Sequence, residues 1–117
     1  MNKPDIKTAI PRRRYQIGDF VATILAEVES HDPIKYCYIM ALVQDGKNEP
    51  SLYVTAETNP PNRRNQGRYL VRVILGNDSK VMESADKWGD IEKFSNFALG
   101  IAAKLYQLMD EEPVQLM

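Results

Sequence analysis

FVATILAEVE, residues 20–29, places Phe20, Ala22, Ile24, Ala26 and Val28 on one side of an extended chain and Val21, Thr23, Leu25, Glu27 and Glu29 on the other. A period of two belongs to a β-strand, whose successive side chains point to opposite faces. The alternation reaches back to Tyr15 and predicts one long strand over 15–29. Gly18 and Asp19 are its irregular point, because Ile17 is out of phase with Phe20. Both sides of this strand carry large apolar residues, and that property bears on what the sheet it joins can do.

Downstream, Ser30–Pro33 has turn chemistry, since Asp32 precedes Pro33 and is biased away from helix. Alternation resumes over 34–43, which predicts a hairpin, and 52–58 reads as a third strand rich in β-branched and aromatic residues. Residues 59–67 hold Pro60, Pro61, Arg63 and Arg64 and read as a polar loop, because adjacent prolines remove donors and fix the backbone. A fourth strand is expected over 69–75, a tight turn over 76–79 and a short fifth strand over 80–84. Upstream, residues 1–14 carry Pro4, Pro11 and five basic side chains against Asp5 alone, and are expected to be a flexible basic arm.

The period then changes. Ile91, Phe94, Phe97, Ala98, Ile101, Ala102, Leu105, Leu108 and Met109 recur at steps of three and four, which predicts an amphipathic helix. Asp90 supplies its N-cap and Pro113 its stop, and Trp88 anchors the entry corner. Gly100 costs about 1 kcal/mol relative to alanine inside a helix, so it is expected to mark a close approach to the sheet. Strands first and one helix last define an α+β domain. The expected architecture is an antiparallel β-meander of four to five strands followed by one long C-terminal helix packed on one sheet face. The domain covers 15–112, and 113–117 is a C-terminal tail.

Length and composition bound the rest. A chain of 117 residues suffices for one domain with its own core. One cysteine, Cys37, and one histidine, His31, exclude an intrachain disulfide framework and a cysteine-rich zinc site. Met1–Arg14 lacks the apolar core of a secretory signal, and no run approaches the roughly 18 apolar residues of a membrane span. A cytoplasmic protein is expected. A net charge of −1 gives no global attraction to nucleic acid or to an acidic membrane.

Face analysis locates the candidate function. The side carrying Phe20, Ala22, Ile24, Tyr36, Tyr38, Met40, Leu42, Leu52, Val54, Ala56, Tyr69, Val71 and Val73 is uniformly apolar or aromatic, and the helix is expected to cover it. The reverse side carries Val21, Leu25, Cys37, Ile39, Ala41, Val43, Tyr53, Leu70 and Ile74 beside Thr23, Glu27, Glu29, Lys35, Thr55, Glu57 and Arg72. That is more apolar than a sheet face open to water, and one helix cannot cover both sides. Such patches mark contacts, and twofold dimers are the commonest oligomers. The first expectation is a non-enzymatic homodimer with Val21, Leu25, Ile39, Val43 and Ile74 at its interface, tested by Ile39→Asp. A different protein partner is the variant of this reading.

Two alternatives stand beside it. Arg63, Arg64, Arg68 and Arg72 with Tyr53 and Tyr69 would suit single-stranded nucleic acid, guanidinium groups meeting phosphates and rings stacking on bases. It is not favoured, because Arg12–Arg14 are expected at the far end of the sheet, beside Asp110, Glu111 and Glu112. A small apolar ligand between helix and sheet is the other, among Tyr36, Tyr38, Met40, Tyr69, Phe94, Phe97 and Tyr106, where ordinary core packing explains the same composition. No catalytic group and no cofactor or metal is expected. Ser30-His31-Asp32 reads as a bonded turn, Cys37 as an inert half-buried thiol, and Asp19, Glu27, Glu29 and Glu57 as surface charge for solubility, with convergence near one rim as the alternative if the strands pair in sequence order.

Overall fold

Each of six successive strands pairs antiparallel with the next, which is what short connections between alternating segments produce. In the computed structural model, which describes residues 3–117, these are β1 (Ile6–Ile17), β2 (Phe20–Ser30), β3 (Tyr36–Gln44), β4 (Leu52–Thr58), β5 (Tyr69–Leu75) and β6 (Asp78–Ala85). The helix α1 (Ile91–Leu105) follows, and a last short strand, β7 (Val114–Gln115), returns to the far edge. The sheet therefore has seven strands, in the order β6-β5-β4-β3-β2-β1-β7, and not the four to five expected.

Two of the added strands correct the reading of the ends. Residues 6–17, expected within or beside a flexible basic arm, are β1, the partner of β2 from Ile6 opposite Ser30 to Ile17 opposite Phe20. The single strand expected over 15–29 is broken by the Gly18–Asp19 turn, where Gly18 has φ +58, a left-handed value that a side chain disfavours. The residues 113–117, expected as a tail, place Val114 and Gln115 against Gln16 and Tyr15. Basic side chains do not prevent β1 from forming, because a strand near a sheet edge needs backbone pairing more than apolar faces.

Helix α1 lies on the face anticipated for it. Phe94, Ala98 and Ala102 are fully buried against a core that includes Ile24, Met40, Leu42, Leu52, Val54 and Val71. Aromatic pairs stitch the seam: Tyr38 on Phe94 at 5.6 Å, Phe20 on Tyr106 at 4.6 Å and Trp88 on Phe97 at 4.8 Å between ring centroids. Asp90 caps the N-terminus by accepting from the Lys93 N–H. The helix stops at Leu105, before Leu108 and Met109, because Gln107 takes a left-handed φ of 57; Pro113 lies beyond the stop.

Gly100 does not mark a close approach. It is exposed, and a Cβ built there meets nothing within 4 Å. Gly100→Ala should therefore stabilise the protein by about 1 kcal/mol, seen as a higher urea midpoint with an unchanged slope. A neutral or lower midpoint would contradict the open surroundings.

Candidate functional site

Residues directly opposite each other in neighbouring strands share a face. On the side away from α1, Val21 lies opposite Val43, Leu25 opposite Ile39, Ala41 opposite Tyr53, and Tyr53 opposite Ile74. All five expected interface residues, Val21, Leu25, Ile39, Val43 and Ile74, thus fall on this face. They are not equally accessible. Ile39 and Ile74 are 0% and 3% exposed within the single chain, whereas Val21, Leu25, Val43 and Tyr53 are half-buried. The chain's own start contributes to this side: Pro4 is buried, and Lys3 lines a recess together with Tyr53 and Ile74. A substitution at Ile39 would consequently report on folding, and Leu25 is the better probe of association.

Toward the opposite end of this face the chemistry turns polar. Glu57, only 4% exposed, is held by Arg72 through Nε to Oε2 at 2.8 Å and Nη2 to Oε1 at 3.2 Å, and Oε2 also accepts from the Thr55 hydroxyl at 2.7 Å. Glu57, expected with Asp19, Glu27 and Glu29 as surface charge, is instead half of a bidentate ion pair. The other three lie apart. Asp19 accepts from Gln44 at the Gly18 turn, Glu27 pairs with Arg12, and Glu29 stands exposed. The carboxylates do not converge, because Asp19 lies in the turn before β2 and Glu29 near the other end of that strand.

A bulge relocates one residue of the expected core. Tyr36 pairs with Glu57 while Tyr38 pairs with Ala56, so Cys37 is an extra residue in β3 and the faces change hands across it. Tyr36 therefore joins Glu57 on the side away from the helix, whereas Cys37 and Tyr38 pack with the helix-side core. Burial, followed by the neighbouring Asp32 carboxylate, pushes the Tyr36 phenol up. Burial likewise pushes the Cys37 thiol up, away from the thiolate that a nucleophile needs.

Asp32 organises the turn before β3. Burial alone would raise its carboxyl, but donors outweigh it: the Asp5 N–H at 3.1 Å, the Ser30 hydroxyl at 2.9 Å, the Ile34 N–H at 3.1 Å and the Tyr36 hydroxyl at 3.1 Å. Its folded value is held below the ordinary 3.8. A lowered carboxylate adds stability above its unfolded value and loses it as pH falls through the folded one. Asp32→Asn should cost about 1.5 kcal/mol at neutral pH, and the difference from wild type should shrink below pH 3.8. A difference that persists in acid would contradict this account. The turn is bonded locally through the Ser30 hydroxyl, which lies 3.1 Å from the Asp32 and Ile34 carbonyls, whereas His31 reaches outside it, with Nδ1 at 3.2 Å from Asp5 Oδ1.

The arginines divide differently from expectation. Arg12 and Arg13 pair with Glu27 and Glu92, not with Asp110, Glu111 or Glu112. Arg14 stands on the outer face beside Thr23. Arg63 and Arg64 are exposed on the 3-10 turn Pro61–Gln66, and Arg68 lies over the Tyr69 ring at 5.8 Å. Tyr69 is on the helix side, where its ring fills the space beside Gly89, so Tyr53 and Tyr69 do not form one stacking surface. The seam expected for an apolar ligand is packed: Met40, Leu42 and Phe94 are fully buried, and the Tyr38 and Tyr106 hydroxyls donate to the Gly89 carbonyl and to Ser51.

From the sequence, Glu57 reads as surface charge and Lys35 carries no role. The signal for the first was available, because Glu57 and Arg72 share the reverse face of adjacent strands. Comparison of the chain with models of protein families, with curated proteins and with solved structures gives no match.

Proposed function

We propose that this chain is a non-enzymatic protein that acts through protein contacts, in the first place as a homodimer joined by the sheet face that α1 does not cover. One observation carries the reading. Where β2 and β3 are paired, from Val21 opposite Val43 to Leu25 opposite Ile39, the positions on that face, Val21, Thr23, Leu25, Ile39, Ala41 and Val43, include no charge, and Tyr53 extends them onto β4. Arg14 and Gln16 on β1 and Arg72 on β5 flank this apolar centre. An uncharged centre with a polar rim is the anatomy of a subunit contact. A twofold axis along the line from Thr23 to Ala41 would lay Val21 of one copy on Leu25 of the other and Val43 on Ile39.

Leu25→Asp is the test. Leu25 is half-buried, so the variant should remain folded by circular dichroism while a second copy can no longer cover a carboxylate without desolvating it. The expected result is a folded monomer. A folded variant with unchanged oligomeric mass would refute the interface.

A further inference from the structure

Beside the Arg72–Glu57 pair, the loop after β4, the start of β3 and strand β5 enclose a cleft of about 510 Å³, within the range of small-molecule sites. Four cations line it: Lys35, Arg63, Arg64 and Arg72. Its one lining carboxylate, Glu57, already has both oxygens engaged by Arg72. Among the described residues, Lys35, Arg63 and Arg64 have no carboxylate within 4.0 Å. A chain with a net charge of −1 thus concentrates uncompensated positive charge in one concave place.

The frame that carries these cations is braced. Asn59, 1% exposed, donates its side-chain amide to the Gly67 carbonyl at 2.8 Å and its backbone N–H to the Arg68 carbonyl at 2.9 Å. The Arg63 N–H donates to the Pro60 carbonyl at 2.9 Å, and the Thr58 N–H donates to the Lys35 carbonyl at 2.9 Å. Pro60 and Leu70 add apolar wall. Guanidinium groups offer paired donors that match phosphate oxygens, and a braced backbone reduces the ordering cost of binding.

We propose that this cleft is a binding site for a phosphate-bearing ligand, either a free phosphorylated molecule or the backbone of a single strand. Arg63, Arg64 and Lys35 hold the phosphate, and Pro60 and Leu70 meet the less polar part of the ligand. The site includes Lys35, and excludes Arg68, Tyr53 and Tyr69. It shares no residue with the Val21–Leu25–Val43 patch, so either assignment can fail without the other.

The protein would be titrated at low salt with inorganic pyrophosphate and, separately, with a short oligothymidylate, followed by isothermal calorimetry. The expected result is saturable binding of at least one probe that weakens as salt is added. The exposed pair Arg63→Ala/Arg64→Ala should lower that affinity about tenfold or more, and Arg68→Ala should change it less than about twofold. Tighter binding of the oligothymidylate assigns the site to a strand, equal or tighter binding of pyrophosphate to a free phosphorylated molecule, and both support the proposal. Absence of binding by both probes, or affinity unchanged in the folded double variant, would overturn it.

Discussion

Arg72→Met should lower folding stability by about 3 kcal/mol, the lower end of the range for a buried charge that loses its partner. The Glu57 side chain is 5% exposed and that of Arg72 is 29% exposed, so removing the guanidinium strands a carboxylate that water reaches only through the vacated side. The Thr55 hydroxyl still donates to Glu57, which keeps the loss from being larger. The double variant Arg72→Met/Glu57→Gln should recover most of it, since glutamine is neutral and its carbonyl can accept from Thr55. A double-mutant cycle by urea unfolding measures the coupling. Loss of less than about 1 kcal/mol in Arg72→Met would show that the pair is solvated and worth little, as exposed pairs are.

Gly67→Ala should cost about 3 kcal/mol, from two independent causes. Gly67 has φ 132, a region that residues with a side chain rarely adopt, and such strain costs on the order of 1–3 kcal/mol. A Cβ there would also lie 2.6 Å from the Ala85 nitrogen and 2.7 Å from its Cα, backbone atoms that cannot swing aside. The loop after β4 closes against the end of β6 at this point, with the Asn59 side chain bonded to the Gly67 carbonyl. The substitution should therefore also weaken any ligand held by Arg63 and Arg64. An alanine variant of wild-type stability would contradict both arguments.

The meander and the helix are legible in the sequence because each has one dominant period. Residues 20–29 alternate, and Phe94, Ala98 and Ala102 repeat at helical spacing, so the buried face of each element is decided locally. β1 is not legible in the same way. Its Pro11 and Arg12–Arg14 look like an arm, and what makes the segment a strand is the unpaired edge of β2, a partner that no local pattern announces. Register is the second thing the period hides. Cys37 is the extra residue in β3, and one insertion sends Tyr36 across the sheet to Glu57.

The candidate interface was legible as a set of residues and not as a surface. Val21, Leu25, Ile39, Val43 and Ile74 do share a face, since alternation alone assigns them to it. Which of them another molecule could touch depends on the rest of the chain. Ile39 and Ile74 are already covered in the single copy, which leaves Val21, Leu25, Val43 and Tyr53 to meet a partner. The basic cleft was less legible still. It assembles Lys35 from one loop and Arg63 and Arg64 from another, brought together because β3 and β4 are neighbours.

Self-association through the uncovered face is decided by the solution mass of the wild-type protein. Light scattering across a range of protein and salt concentrations should give about twice the chain mass of 13.4 kDa, with little dependence on salt because the contact is apolar. A mass of one chain throughout that range would contradict the homodimer.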